Sequence, residues 1–441
     1  MSLRALGELF GTTPLYKVGG AVRCELLGVP AHDIDITASM MAEDVISLLD
    51  GSDFSVVPSS LRMGTLIIRD GADKYEYTAF RSDSYPLESG VHQPIEVKFT
   101  RDISVDARRR DFTVNAIYEN VLTGEIVDPL GGVEDLRDRV LRTTREPESV
   151  FGEDGLRLMR LVRFKAEMGF DIDSRCYEVA SSLVHLLSDI SVERIEEEFT
   201  KILLADTAVY GNEDGHYEGV RMLVDIGAMQ YIIPRLMEGK GMMQNTRYHR
   251  YDVLEHGLMA MRYSHPSVRL AALLHDIAKP YEKRTTGNMY AHAISGARFA
   301  REALMRLRYQ TKVVDEVSAL IGIHMFDIDG NARVNTVKKF IVDHHAIMDK
   351  FLLLRHADIM ASHGDLTSYN VIKGIYDEMK RNGVPMSIPD LAIDGNDVMA
   401  LGYTGRDIGK ILDTVLYKVA IEDVPNDKDT LTTYIRGEKW R

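Results

Sequence analysis

YKVGGAVRCELLGVPAHDIDIT, residues 16–37, reads as a strand, a glycine pair at Gly19 and Gly20, a helix start, and a second strand carrying Asp33 and Asp35. Residues two apart in a strand point to one face, so the two carboxylates share a site. Asp is disfavoured in strand interiors, and a divalent cation is a good reason for two of them at this spacing. A glycine pair lets backbone amides approach a phosphate closely, although most such pairs are tight turns. A third acid, Glu76, lies in the β-type run YEYTAF, with Tyr75 and Tyr77 expected on the opposite side. Read alone, Glu76 is a solvent-facing strand residue; with Asp33 and Asp35 it completes a set. Three carboxylates can hold two Mg²⁺ ions about 3.5–4 Å apart for in-line displacement at phosphorus.

The surroundings of this stretch set the architecture. Residues 1–128 mix short β-type runs, such as GTLIIRD, with Gly and Asp turns, and from about residue 135 the pattern is helical. ERIEEEFTKILL places Ile195, Phe199, Ile202 and Leu203 on one helical face, and DIGKILDTVLYKVA does the same with Ile408, Ile411, Leu412, Val415 and Val419. Polar or Gly-rich seams are expected at 211–219, 238–249 and 381–390. With 441 residues, the chain suits two to four domains. No apolar run approaches the roughly 18 residues of a membrane span, and MSLRALGELFGTT is too short in apolar residues for a secretory signal. Cys24 and Cys176 make no disulfide framework, which fits a reducing cytoplasm. A net charge of −14 argues against non-specific coating of nucleic acid and asks for a local basic surface. Arg108, Arg109 and Arg110, and then Arg157, Arg160 and Arg163, are candidates for it, as against solvated helix faces.

Five motifs in order resemble the class II CCA-adding tRNA nucleotidyltransferase and bacterial poly(A) polymerase family. They are GGAVRCELLG…DIDIT, DARRRDFTVNAIYEN, DPLGGVEDLRDRVLRTT, EDGLRLMRLVRFKAEMGF and VERIEEEFTKIL. The resemblance implies an α/β head, a nucleotidyltransferase palm with a small mixed sheet and helices, followed by an all-α neck, body and HD domain. On this reading the head is 1–135, the neck 136–205, the body or linker 206–248, the HD domain 249–380 and a helical tail 381–441. It implies catalytic, metal-holding roles for Asp33, Asp35 and Glu76, and a triphosphate held by Gly19, Gly20 and Arg23. Asp106, Arg109, Arg110, Asp111 and Asn115 would bind ribose and phosphate. Asp154 and Arg157 would read the base, with Arg160 and Arg163 nearby. At i, i+3 that pair is expected to share a helix face. A carboxylate accepts and a guanidinium donates, which matches the edges of cytosine and adenine and mismatches uracil and guanine. Such a site can reject the wrong edge by about 10⁴-fold.

The chain departs from the family pattern at three places. Cys24 stands where Asp is usual, where a carboxylate would support Arg23. Gly155 stands where Pro is common, which loosens a helix start. The segment SDSYPLESGVHQP after Arg81 is longer than usual.

A second constellation follows: His256, His275-Asp276, His292, His324 and Asp358. A His-Asp pair on a helix flanked by Leu273, Leu274 and Ile277 puts polar groups beside a core, where they need partners. The order resembles the HD phosphohydrolase superfamily. That implies a divalent metal, Mg²⁺ or a transition metal, on His256, His275, Asp276 and Asp358, with His292 and His324 extending the site. The implied activity is addition of C, C and A to the 3′ end of tRNA from CTP and ATP by a cytoplasmic monomer, with phosphatase or 2′,3′-cyclic phosphodiesterase activity at the HD site. Poly(A) polymerase, an RNA end-repair phosphohydrolase with a weakened head, and a non-catalytic RNA-binding protein remain open at this point.

Overall fold

A computed structural model describes residues 3–31, 33–71, 73–85, 95–244, 250–438 and 440. Most of the long segment after Arg81 and the end of the 238–249 seam lie outside the described residues. The chain divides into two units, Met1–Met237 with Arg306–Arg308, and Glu238–Met305 with Tyr309–Arg441.

The first unit begins with α1 (Leu3–Leu9), β1 (Tyr16–Val18), α2 (Gly20–Leu26), β2 (Ile34–Ala38) and α3 (Ala42–Leu49). It continues through β3 (Ser55–Ser60), β4 (Thr65–Asp70), β5 (Asp73–Ala79), β6 (Arg81–Ser84), β7 (Glu96–Phe99), α4 (Ile103–Arg109), β8 (Tyr118–Asn120) and β9 (Ile126–Val127). Seven strands form one mixed sheet in the order β3-β4-β5-β2-β1-β8-β9, and β6 pairs with β7 apart from it. Only β2 and β5 run parallel within the large sheet, with Asp35 opposite Glu76 and Ile36 opposite Tyr77. Period-two alternation then sorts the two faces. Ile36, Tyr75 and Tyr77 enter a core with Leu6, Phe10, Val45 and Leu66, while Asp35 and Glu76 stay exposed. Each large apolar side chain buried there stabilises the sheet by roughly 1.5–3 kcal/mol. A one-residue slip of β2 would bury Asp35, so the core enforces the register of the acids.

The rest of this unit is helical: α5 (Gly132–Asp138), α6 (Pro147–Glu153), α7 (Leu156–Met168), α8 (Ser174–Ser182), α9 (Val192–Leu203), α10 (Gly215–Asp225) and α11 (Met229–Ile232). α9 buries the expected Ile195, Phe199, Ile202 and Leu203, and also Glu198. Two expectations are corrected. Residues 211–219 are not a seam: α10 starts inside them and packs on α7 and α9. Asp154 and Arg157 do not share a helix face, because the helix breaks at Asp154, whose backbone is extended (φ −146°, ψ 104°) between α6 and α7. Gly155 suits that break for a packing reason, since a Cβ there would lie 3.0 Å from Leu186 Cβ.

The second unit contains α12 (Val253–Arg262), α13 (Arg269–Leu274), α14 (Lys279–Thr286), α15 (His292–Arg306), α16 (Thr311–Ile323), α17 (Val334–Asp343) and α18 (Met348–Ala361). It ends with α19 (Thr367–Arg381), α20 (Gly395–Ala400), α21 (Arg406–Ala420) and α22 (Lys428–Gly437). Residues 381–390 are a connection inside this unit. No described helix is long and apolar enough to cross a membrane.

Candidate active site and metal centre

The residues of both sequence constellations are brought together, one set in each unit. In the first, β1 delivers the chain to Gly19, whose φ of 71° and ψ of −126° suit glycine, and α2 follows directly. A Cβ on Gly19 would point between Arg110 Nη1, at 3.7 Å, and Asp35 Oδ2, at 3.9 Å. The glycine, the acid and the arginine therefore border one cleft of about 490 Å³. Asp33 sits just before β2 and Glu76 beside Asp35. Although Asp35 is exposed at the surface, the cleft wall removes water from its carboxylate. That desolvation and the charges of Glu76 and Asp33 raise its pKa, against the pull of Arg110. Crowded carboxylates of this kind favour a cation between them, so these residues fit the implied metals.

Eight arginines line the cleft: Arg23, Arg81, Arg109, Arg110, Arg157, Arg160, Arg163 and Arg194. Five of them, Arg109, Arg110, Arg157, Arg160 and Arg163, come from the basic runs singled out in the sequence. Arg108, by contrast, is exposed outside the cleft. Asp106 is fully buried and does not line the cleft. Its oxygens accept from Arg109 Nε (2.8 Å), Arg110 Nη2 (3.2 Å) and Tyr118 Oη (2.7 Å). Burial opposes its ionisation, but Arg110 and Arg109 hold its pKa below the ordinary value. Asp106 thus aims two arginines into the cleft instead of facing a ligand. Asp111 accepts from Arg160 Nε at 2.7 Å and Asn115 Nδ2 at 2.9 Å. Burial works against that charge too, and Arg160 overcomes it, keeping the carboxyl well below its usual range.

The base-reading candidates are held separately. Asp154 Oδ1 accepts from Leu156 N at 3.1 Å and Oδ2 from Arg194 Nη2 at 2.7 Å. Arg157, only 7 % exposed, donates to Val150 O (3.0 Å), Glu153 Oε2 (3.0 Å) and Arg109 O (2.9 Å), and reaches Tyr85 Oη at 3.5 Å. Glu153 is also clamped by Arg145 through two bonds of 2.9 and 2.6 Å. Arg163 pairs with Glu198 at 2.8 Å. Arg194 and Glu198 are in the last of the five motifs, which carried no assigned role in the sequence. Tyr85 lies in the long segment after Arg81, which carried no residue role, and Tyr210 gave no signal there at all.

In the second unit five segments converge. His256 is on α12, Asp358 on α18, His292 opens α15 and His324 follows α16. His275-Asp276 sits on the turn after α13 rather than within a helix. His275, His292 and His324 each direct Nδ1 at the carbonyl three residues back, at 2.8, 2.5 and 2.6 Å. An Nδ1–H donated there leaves Nε2 as an inward lone pair. The Nε2 atoms of His256 and His275 lie 3.2 Å apart, as do those of His292 and His324. Two such lone pairs repel unless a proton or a metal joins them. His256 Nε2 also lies 3.0 Å from Asp358 Oδ1. Asp276 presents Oδ1 to His292 at 3.2 Å and Oδ2 to His275 at 3.3 Å, so it is shared by two ligand groups, each gathered within 4.8 Å. Buried nitrogen lone pairs around a shared carboxylate fit divalent cations. Burial disfavours the charged form of His275, yet Asp276 and Asp358 raise its pKa to about 9. Burial and the neighbours His275 and His292 lower that of His324 to about 3. Lys279, which the sequence reading missed, places Nζ 2.6 Å from Asp276 Oδ2 and 2.6 Å from Gln244 Oε1.

Comparison with known proteins agrees with this layout. Residues 15–142 match the poly A polymerase head domain, 169–239 the probable RNA and SrmB-binding site of polymerase A, and 247–361 the HD domain. The CCA-adding enzyme of Anoxybacillus flavithermus is 40% identical over 189 residues, 43% of this chain and 46% of the relative. That of Streptococcus thermophilus is 37% identical over 218 residues, 49% of this chain and 50% of the relative. The matched stretch thus spans about half the length of these curated relatives. The crystal structure of the Bacillus stearothermophilus CCA-adding enzyme in complex with CTP aligns over 99% of this chain and 98% of that one, with a TM-score of 0.67 and 25% identity. The Thermotoga maritima enzyme complexed with tRNA shares the fold at 16% identity, with a TM-score of 0.59 over 98% of this chain and 94% of that one. The class is therefore that of proteins with a poly A polymerase head domain. Within it, the chain is similar to CCA-adding enzymes, over about half of their length in sequence and nearly all of it in fold, and it carries an HD domain.

Proposed function

We propose that the first unit adds C, C and A to the 3′ end of tRNA, using CTP and ATP. The observation that carries this reading is the arginine-lined cleft bordered by Gly19, Asp35 and Asp154. In this reading, Gly19 and Gly20 admit the triphosphate close to the backbone, and Arg23, Arg109, Arg110 and Arg160 take its charge. Asp33, Asp35 and Glu76 would hold two Mg²⁺ ions, which when bound lower the pKa of the attacking hydroxyl and stabilise charge on the leaving group. The tRNA 3′-oxygen forms a bond to the α-phosphorus, the α–β bridge breaks, and pyrophosphate leaves. Asp111 and Asn115, tied together, would meet the ribose. Asp154 accepts from the exocyclic amino group shared by cytosine and adenine. Arg157 Nη2 gives one N–H to Arg109 O at 2.9 Å and reaches Tyr85 only at 3.5 Å, so its second N–H would turn to the ring nitrogen. Neither contact suits uracil or guanine.

The test is incubation with Mg²⁺, tRNA lacking its last three nucleotides, each NTP singly, and then CTP with ATP. Ordered addition of two C and one A is the expected result. A long A tract instead assigns poly(A) polymerase activity, and no incorporation overturns the reading.

For the HD site we propose divalent-metal-dependent hydrolysis of phosphomonoesters or 2′,3′-cyclic phosphates, supported by the inward Nε2 atoms sharing Asp276. Release of phosphate from a nucleoside monophosphate, or ring opening of a nucleoside 2′,3′-cyclic phosphate to its monoester, abolished in His275→Ala, is the expected result. Failure with Mg²⁺, Mn²⁺, Ni²⁺ and Co²⁺ alike overturns it.

A further inference from the structure

Arg23 differs from the other arginines of the cleft. Each of the other seven lies within 3.2 Å of a carboxylate oxygen: Arg81 of Asp83, Arg109 and Arg110 of Asp106, Arg157 of Glu153, Arg160 of Asp111, Arg163 of Glu198 and Arg194 of Asp154. Among the described residues, Arg23 has no ion pair of this kind. It is 6 % exposed and is caged by neutral groups. Nη1 donates to Asn115 Oδ1. Nη2 and Nε donate to the hydroxyl of Tyr210 at 2.8 and 3.2 Å. The ring of Phe164 lies 4.8 Å from its Cζ. The Tyr210 hydroxyl in turn meets Cys24 Sγ at 3.2 Å. Glu167 feels the charge of Arg23 only from beyond ion-pair distance, and a buried cation without a carboxylate in contact is costly until an anion joins it. Held by neutral acceptors, it keeps its whole charge for that anion.

We propose that Tyr210, backed by Cys24, is a positioning residue for the triphosphate: it fixes the Arg23 guanidinium without neutralising it. The proposal rests on the nucleotidyl-transfer reading of the cleft. Two lone pairs of the Tyr210 oxygen accept from Arg23, and its own proton can go to the Cys24 sulfur, a weak acceptor. Tyr210 lies 187 residues beyond Arg23, in a turn before α10 and outside every sequence motif. Only the fold brings it there.

Tyr210→Phe keeps the ring and removes the hydroxyl. The expected result, measured by calorimetry with inorganic pyrophosphate and Mg²⁺, is roughly tenfold weaker binding, as for a lost hydrogen bond to a charged group. KM for CTP and for ATP should rise by the same factor with kcat and base choice unchanged. Cys24→Asn added to Tyr210→Phe supplies a neutral acceptor beside the vacated space and should recover most of the loss. Unchanged pyrophosphate affinity in Tyr210→Phe, or a lower melting temperature as its only effect, overturns the proposal. If the wild-type protein binds pyrophosphate but transfers no nucleotide, the transferase reading fails, while a loss of pyrophosphate affinity in Tyr210→Phe still supports the positioning role. Wild-type protein that binds no pyrophosphate overturns both.

Discussion

The two candidate sites handle charge in opposite ways. In the first unit the acids are exposed on a sheet face and the basic residues dominate, with seven of eight cleft arginines pinned by carboxylates. In the second, two groups of three buried ligands share Asp276, each group already gathered within 4.8 Å. On the proposed function, the first awaits a large anion that arrives with the reaction. A triphosphate would complete both the arginine cage and the coordination of its cations. The second can bind ions alone, because its imidazoles are pre-oriented by backbone carbonyls. Preorganisation there comes from burial, and in the cleft from ion-pair networks.

The sharpest way to break this comparison is to disable each site separately. Asp35→Ala is expected to lower nucleotide incorporation by on the order of 10³-fold or more and to leave hydrolysis at the HD site unchanged. His275→Ala is expected to do the reverse. Assaying both activities in both variants checks independence, and loss of both in either variant would make the two sites one machine.

Next in size is base choice. Asp154→Ala removes the acceptor for the exocyclic amino group, and discrimination of C over U should fall about 10²-fold. Single-nucleotide incorporation from each NTP measures this. Retained discrimination would move base reading away from Asp154.

Metal binding separates the sites in a third way. Chelated protein titrated with Mn²⁺ or Co²⁺ and no nucleotide should gain thermal stability, by about 2.7 kcal/mol at a hundredfold excess over the dissociation constant. His275→Ala should abolish that gain and Asp35→Ala should not. A gain that depends on Asp35 would contradict the assignment of the self-sufficient site to the second unit.

The smallest effect concerns Asp111. Its folded-state pKa is depressed, burial opposing and Arg160 prevailing. Its contribution to stability is therefore fully present above the unfolded value of about 3.9 and lost as pH falls through the lower folded value. Asp111→Asn should be less stable than wild type by about 2 kcal/mol at pH 7, with the gap closing as pH drops below about 4. Denaturant melts across pH check this, and a gap independent of pH would mean that packing, not charge, is lost.

Much of this was legible along the chain. The alternation in DIDIT and YEYTAF fixes which face each acid takes, because a strand has period two and tyrosines belong in the core. The helical period of ERIEEEFTKILL announces its buried face. Local spacing cannot report breaks, and so the pair Asp154 and Arg157 looked like neighbours on one helix. The chain instead turns at Asp154, and Arg157 faces Glu153. Nor could spacing show that Asp106 serves Arg109 and Arg110 rather than a ligand.

The sequence by itself determined the fold class and the shared strand face of Asp35 and Glu76, since periodicity is written locally, and it named the six HD-site residues that the fold gathers. The tertiary structure alone decided which charges are compensated. Arg194 meets Asp154 across 40 residues and Tyr210 meets Arg23 across 187. Such pairings depend on how helices and sheet pack in three dimensions, where distance along the chain carries no information about distance in space.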